Sequence, residues 1–226
     1  DWYGGRRILG EYAGAFPQGD GESGCGFAIP GKLQHGWQWG TGVDDEGRER
    51  IRHSSVKAFV WNYRNEEKAN SIGVEATAIG APALYTDFDS FKGKPDGILV
   101  VPSHSQPPFT IVQWEDFAQE AAWLTGDWKN KRKTALVYYR DYQRAEPYFR
   151  EAGYTVCCLG GPYAVDFIGR LRRLIEAHEL VAGDTVSTTA FYANLWNRSY
   201  RLFGAPLETE IPDPYVGPGG DRDFVA

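Results

Sequence analysis

Residues able to bind a phosphate or move a proton stand at several places in this chain. Ser187, Thr188 and Thr189 lie together in VAGDTVSTTAFYANLWNRSYRLFGAP (181–206), which reads as a short strand, a hydroxyl cluster, a helix and a Gly-Ala-Pro stop. A helix N-terminus carries partial positive charge and unbonded N–H groups, so hydroxyls placed there can add hydrogen bonds to a phosphate. Ser and Thr are also ordinary N-caps, and both readings stand. His35 in QHGW and His104 in PSHS each follow a predicted strand. An imidazole there can serve as a general base near neutral pH; a hydrogen-bonded structural histidine is the alternative. Arg140, next to Asp141, follows TALVYY. It can make a two-pronged contact to a phosphate or carboxylate, or a plain surface pair with Asp141. Gly160 and Gly161 follow YTVCCL and permit close backbone approach to a ligand, although strand-to-helix turns use glycine anyway. Trp37 and Trp39, beside His35, are candidates for stacking on a base or sugar, and Trp61 for the core. His178, in LIEAHEL, reads as exposed, and His53 is uninformative.

Other chemistries lack their signatures. There is no HExxH, no CxxC and no histidine pair at helical spacing, so no metal site is expected. DFDS (87–90) resembles a metal-binding DxD but sits in a predicted linker. Gly160–Gly161 is not a GxGxxG dinucleotide turn, and a Walker loop and a GxSxG elbow are missing.

The elements that must position these residues follow from periodicity. In the first part, GCGFAIPG (24–31) and LQHGWQWGTG (33–42) read as strand ends opening into turns. VKAFVWN (56–62) reads as a buried strand, RNEEKANSIG (64–73) as a helix, and ATAIGAPALY (76–85) as strand and turn. The polar, Gly/Pro-bearing TDFDSFKGKPDG (86–97) is the linker. Beyond it, strands at GILVVPSHS (97–105), KTALVYYRD (133–141) and YTVCCLGG (154–161) alternate with helices at 114–128, 144–153 and 165–180. A further short strand is expected at DTVST (184–188). That alternation predicts a parallel sheet with crossover helices, in which ligands sit at the C-terminal strand ends.

Composition bounds the answer. The chain has 226 residues, enough for one large domain or two small ones. Its net charge of −6 argues against general nucleic-acid binding. No apolar run reaches the ~18 residues of a membrane span, and the start has no signal-peptide core. Cys25, Cys157 and Cys158 are odd in number and suit reduced thiols in a cytoplasmic protein. The chain contains no methionine and can be a trimmed form of something longer.

The order LQHGWQ, SVKAFVWN, IGAPALY, ILVVPSHS and DTVSTTAFYANLWNRSYRLFGAP resembles GT-B-fold glycosyltransferases of bacterial surface polysaccharides. The relatives suggested are capsule polysaccharide, polysialyltransferase-like and CDP-glycerol glycerophosphotransferase-like proteins. The resemblance covers about residues 33–207. It implies an α/β fold of two Rossmann-like parallel-sheet halves (GT-B-like), the first half short. The boundaries are 1–92 for an acceptor-side domain, 93–211 for a nucleotide-donor domain and 212–226 for an extended tail. It implies His35 as general base and His104 near the donor phosphate. Ser187, Thr188 and Thr189 would be the phosphate-binding hydroxyls, with Arg140, Gly160 and Gly161 around the nucleotide. The expected activity is metal-independent transfer of a sugar or polyol-phosphate from a nucleotide-activated donor to a glycan or polyol acceptor. No cofactor beyond that co-substrate is expected. Peripheral membrane association stays open. So do a non-catalytic nucleotide or sugar binder, an epimerase-like enzyme using acids such as Glu208 and Glu210, and an interaction protein on the same fold.

Overall fold

The computed structural model describes residues 3, 5–14, 31–34, 36, 57–86, 90–106, 109–124, 128, 130–161, 163–164, 166–204 and 208–210. The chain divides into two compact units. One takes Asp1–Asp89 and Pro162–Arg170, the other Ser90–Gly161 and Leu171–Ala226.

The first unit is built on a three-stranded parallel sheet in the order β1 (Gly31–Leu33), β2 (Lys57–Val60), β3 (Ala76–Ala78). Helix α2 (Tyr63–Ser71) connects β2 to β3. Asn62 caps it by accepting the Asn65 N–H at 2.9 Å. Ala58, Val60, Ala69, Val74 and Ala76 form a small buried core between that helix and the sheet. A helix absent from the sequence expectations, α1 (Gly5–Tyr12), packs on the short 3-10 turn Pro82–Tyr85. Gly5 is what lets it approach, since a Cβ there would meet Leu33 at 3.0 Å and Pro82 at 3.2 Å.

The second unit holds five parallel strands in the order β7 (Thr155–Cys157), β6 (Lys133–Leu136), β4 (Ile98–Val100), β8 (Leu180–Gly183), β9 (Ser199–Leu202). Taken within the unit, the order runs 3-2-1-4-5, that of a Rossmann half, and the direction of winding reverses between β4 and β8. Ile98, Leu99 and Val100 of β4 are fully buried, as a central parallel strand covered on both faces must be. Helices α3 (Trp114–Leu124) and α4 (Tyr142–Glu151) pack together. Trp114, Phe117, Ala118 and Ala121 line one helix face at the i, i+3, i+4, i+7 spacing and bury among Phe149, Tyr154 and Phe203. Helix α5 (Phe167–Glu176) precedes β8, and α6 (Thr188–Leu195) follows it. A two-stranded antiparallel pair, β5 (Thr110–Ile111) with β10 (Thr209–Glu210), completes the described elements. The fold class is therefore α/β with two Rossmann-like parallel-sheet halves, the first half short.

Four expectations are corrected. The strand near residue 184 ends at Gly183, and Asp184–Ser187 form the turn into α6. The predicted helix over 165–180 stops at Glu176, where the Arg198 guanidinium donates to the Glu176 carbonyl. His178 lies beyond that end and is buried rather than exposed. Its Nδ1 faces the Leu174 carbonyl at 2.7 Å and its Nε2 the Thr134 hydroxyl at 2.8 Å. Finally, α6 does not run to the Gly-Ala-Pro stop. Asn197 takes a left-handed conformation (φ 56°), and its N–H bonds Asn194 O while the Arg198 N–H bonds Ala193 O. This pair of bonds is a Schellman ending, with Asn in the position glycine usually fills. Strand β9 starts two residues later.

Candidate functional site

The residues of the second unit selected for the donor site all follow strands of the five-stranded sheet at its C-terminal edge. His104 follows β4, Arg140 follows β6, Gly160 and Gly161 follow β7, and Ser187, Thr188 and Thr189 follow β8. In open parallel sheets this edge, at the point where winding reverses, is where ligands bind.

At that point the ends of β4 and β8 are tied together. The Val101 N–H continues the ladder to Ala182 O at 2.8 Å. The Ser103 N–H donates to Asp184 Oδ1 at 2.7 Å, and the Ser103 and Thr185 hydroxyls share a hydrogen bond at 3.1 Å. Asp184 is 8% exposed, and its Oδ2 is buried without a hydrogen-bond partner among the described residues. A buried carboxylate oxygen left this way is costly and marks the place as unusual.

The turn into α6 is held from β9. The Tyr200 hydroxyl donates to Thr185 O at 2.7 Å. Burial pushes the Tyr200 phenol up to about 12, Ser187 opposes this by hydrogen bonding, and Asp184 adds to it. Ser187 is the N-cap of α6: its Oγ accepts the Thr189 N–H at 3.3 Å, and its carbonyl accepts the Ala190 N–H at 3.0 Å. The capping reading is thus met for Ser187, at the helix end that follows β8.

On the other side of β4, His104 is exposed and its ring lies 4.4 Å from that of Tyr138, tilted by 30°. Its Nδ1 sits 3.1 Å from Ser105 O. A carbonyl can only accept, so Nδ1 carries the hydrogen, which in the neutral ring leaves the lone pair on Nε2. Ser105 is buried and fixed at three points. Its N–H donates to Asp141 Oδ2 at 2.8 Å, its hydroxyl donates to Asp141 Oδ1 at 2.5 Å, and its Oγ accepts the Ile111 N–H at 2.9 Å. The surface Arg140–Asp141 pair is thereby corrected. Asp141 is 1% exposed and committed to Ser105, while exposed Arg140 donates from Nε to the Tyr139 hydroxyl at 2.8 Å and lies over its ring. Gly160 has φ +88°, which favours glycine, and its N–H donates to Cys158 Sγ at 3.3 Å. Gly161 lies beside the Tyr139 ring.

In the first unit, buried Gln34 ends β1. It accepts the Trp61 N–H at 2.8 Å, donates to Gly36 O at 2.9 Å, and donates its own N–H to Phe59 O. Gly36 has φ +68°. His35, Trp37 and Trp39 lie outside the described residues, as do Cys25, Asp87 and Asp89. Cys157 and Cys158 are free thiols.

Sequence reasoning missed Asp184, Ser103, Ser105 and Tyr200, and it left Asp141 with the wrong partner. Among the described residues, no three His, Cys, Asp or Glu side chains cluster as metal ligands would, and no helix is long and apolar enough to cross a membrane.

No protein-family model matches the chain, and no curated protein does. Among solved structures, S. aureus TarM, determined as a point variant in complex with fondaparinux, α-GlcNAc-glycerol and UDP, is similar with a TM-score of 0.43 and 13% identity. The match covers 78% of this chain and 38% of that one. A likeness of this size carries no weight for function, and the fold class rests on the two strand orders.

Proposed function

We propose that the chain is a glycosyltransferase-like enzyme. It would move a sugar or polyol-phosphate from a nucleotide-activated donor to a glycan or polyol acceptor, on the cytoplasmic side and without a metal. The observation that carries this reading is the reversal between β4 and β8. It sets the N-terminus of α6, with Ser187, Thr188 and Thr189, beside the loop that carries Ser103 and His104. Helix-end N–H groups and hydroxyls there would stabilise the leaving phosphate as negative charge develops on it. His104 would stand near that phosphate, with Arg140, Gly160 and Gly161 around the nucleotide. His35 would take the acceptor hydroxyl proton as that oxygen attacks, and Trp37 and Trp39 would stack on the acceptor.

The test is incubation of the protein with a panel of nucleotide-activated sugars and CDP-polyols, reading release of free nucleotide by chromatography. The reading expects release from one donor class, lost in His35→Ala and reduced in His104→Ala. No release from any donor would contradict it.

A second reading is a non-catalytic nucleotide or sugar binder on the same fold. It would keep Ser187, Thr188 and Thr189 and dispense with His35. Nucleotide binding that persists in both histidine variants, with no donor turnover, would select it.

A further inference from the structure

We propose that Asp141 and Asp184 are positioning residues that hold His104 from both sides; this rests on the reading of His104 as a working group of the donor site. Asp184 accepts the N–H of Ser103, the residue before His104, and Asp141 accepts the N–H of Ser105, the residue after it. Asp184 directly follows β8, and Asp141 is the N-cap residue of α4 in the connection after β6; β8 and β6 are the two strands that flank β4. The exposed histidine is thus held between two buried acids, one from each neighbouring connection.

The arrangement also sets which ring nitrogen is free. The Ser105 carbonyl accepts from His104 Nδ1, and Ser105 itself is immobilised through its N–H and both capacities of its hydroxyl. Fixing Ser105 therefore fixes the Nδ1–H form and leaves the Nε2 lone pair available to a ligand.

The experiment is nitrogen-15 NMR of the histidine-labelled 226-residue chain, with His104 assigned through His104→Gln. Wild type, Asp184→Ala, Asp184→Asn and Asp141→Asn are compared, each first checked for folding by near-ultraviolet circular dichroism. Wild type should show a single Nδ1–H tautomer. Asp184→Asn should keep it, because the amide oxygen still accepts the Ser103 N–H. Asp184→Ala should lose the single-tautomer signature. Asp141→Asn should lose it too, since one amide oxygen cannot serve both Ser105 donors. An unchanged tautomer in folded Asp184→Ala and Asp141→Asn would overturn the positioning role. Titration of the wild type with UDP and CDP is run alongside. Failure of both to bind counts against the transferase reading only, whereas the tautomer result bears on the positioning role alone.

Discussion

The Tyr200 hydroxyl occupies the space that a Cβ on Gly183 would need, and from there it donates to the Thr185 carbonyl at 2.7 Å. The last residue of β8 and a side chain of the neighbouring strand are matched in this way, and the turn leading to α6 depends on the match. A Cβ at 183 would also come within 2.6 Å of Val101 O. Gly183→Ala should therefore destabilise the protein by about 1–3 kcal/mol through overpacking. Tyr200→Phe should cost about 1 kcal/mol for the lost hydrogen bond. Because both act on one contact, the double variant should cost less than the sum, with a coupling of about 0.5 kcal/mol or more by urea denaturation. Strict additivity would show that the two residues do not meet.

His178 makes stability depend on pH. Burial is the main cause holding it below its ordinary value of 6.5; the Leu174 carbonyl opposes this, Arg132 lowers it further and Asp96 raises it. The folded state therefore binds fewer protons than the unfolded chain just below pH 6.5, and stability falls as pH drops through that value. Denaturant midpoints between pH 7.5 and 5.5 should decline in the wild type, with a shallower decline in His178→Gln. Equal slopes would remove His178 as the cause.

Asn197 should prove a conformational rather than a chemical choice. With φ at 56° it closes α6 in the left-handed region. Asn197→Gly should be neutral or slightly stabilising, whereas Asn197→Ala should cost about 1 kcal/mol. Thermal melts of the two variants decide it, and equal melting points would contradict the assignment.

Cys157 should be a slow nucleophile. Burial, with Cys158 beside it, pushes its thiol up to about 11, so little thiolate exists at neutral pH. Mass spectrometry after iodoacetamide treatment at pH 7.5 should find Cys157 modified far more slowly in the folded protein than in urea. Equal rates would place it in a more open environment.

The alternation of strand and helix in the second unit was legible because strands such as Ile98–Val100 are apolar throughout and the helices between them carry regular buried faces. Strand β9 was not legible: SYRL lies at the sheet edge, largely exposed, and has the composition of a helix tail. Helix α1 was hidden because two glycines interrupt its pattern. Within the site, hydroxyls and histidines next to strand ends could be found from residue type. The acids could not, since Asp184 meets Ser103 across 81 positions and Asp141 meets Ser105 across 36. No local spacing announces such a contact, and Arg140 beside Asp141 suggested a nearer and incorrect partner.

Nucleotide binding at the β4–β8 reversal is the central claim, and calorimetric titration with CMP, CDP, UDP and GDP tests it most directly. Wild type is compared with Ser187→Ala/Thr188→Ala, a variant that should itself lose about 1 kcal/mol of cap stability. One of the four nucleotides should bind the wild type, and at 100 times its Kd should stabilise the fold by about 2.7 kcal/mol, with binding weakened at least about tenfold in the variant. Failure of all four to bind the folded wild-type chain would contradict the account.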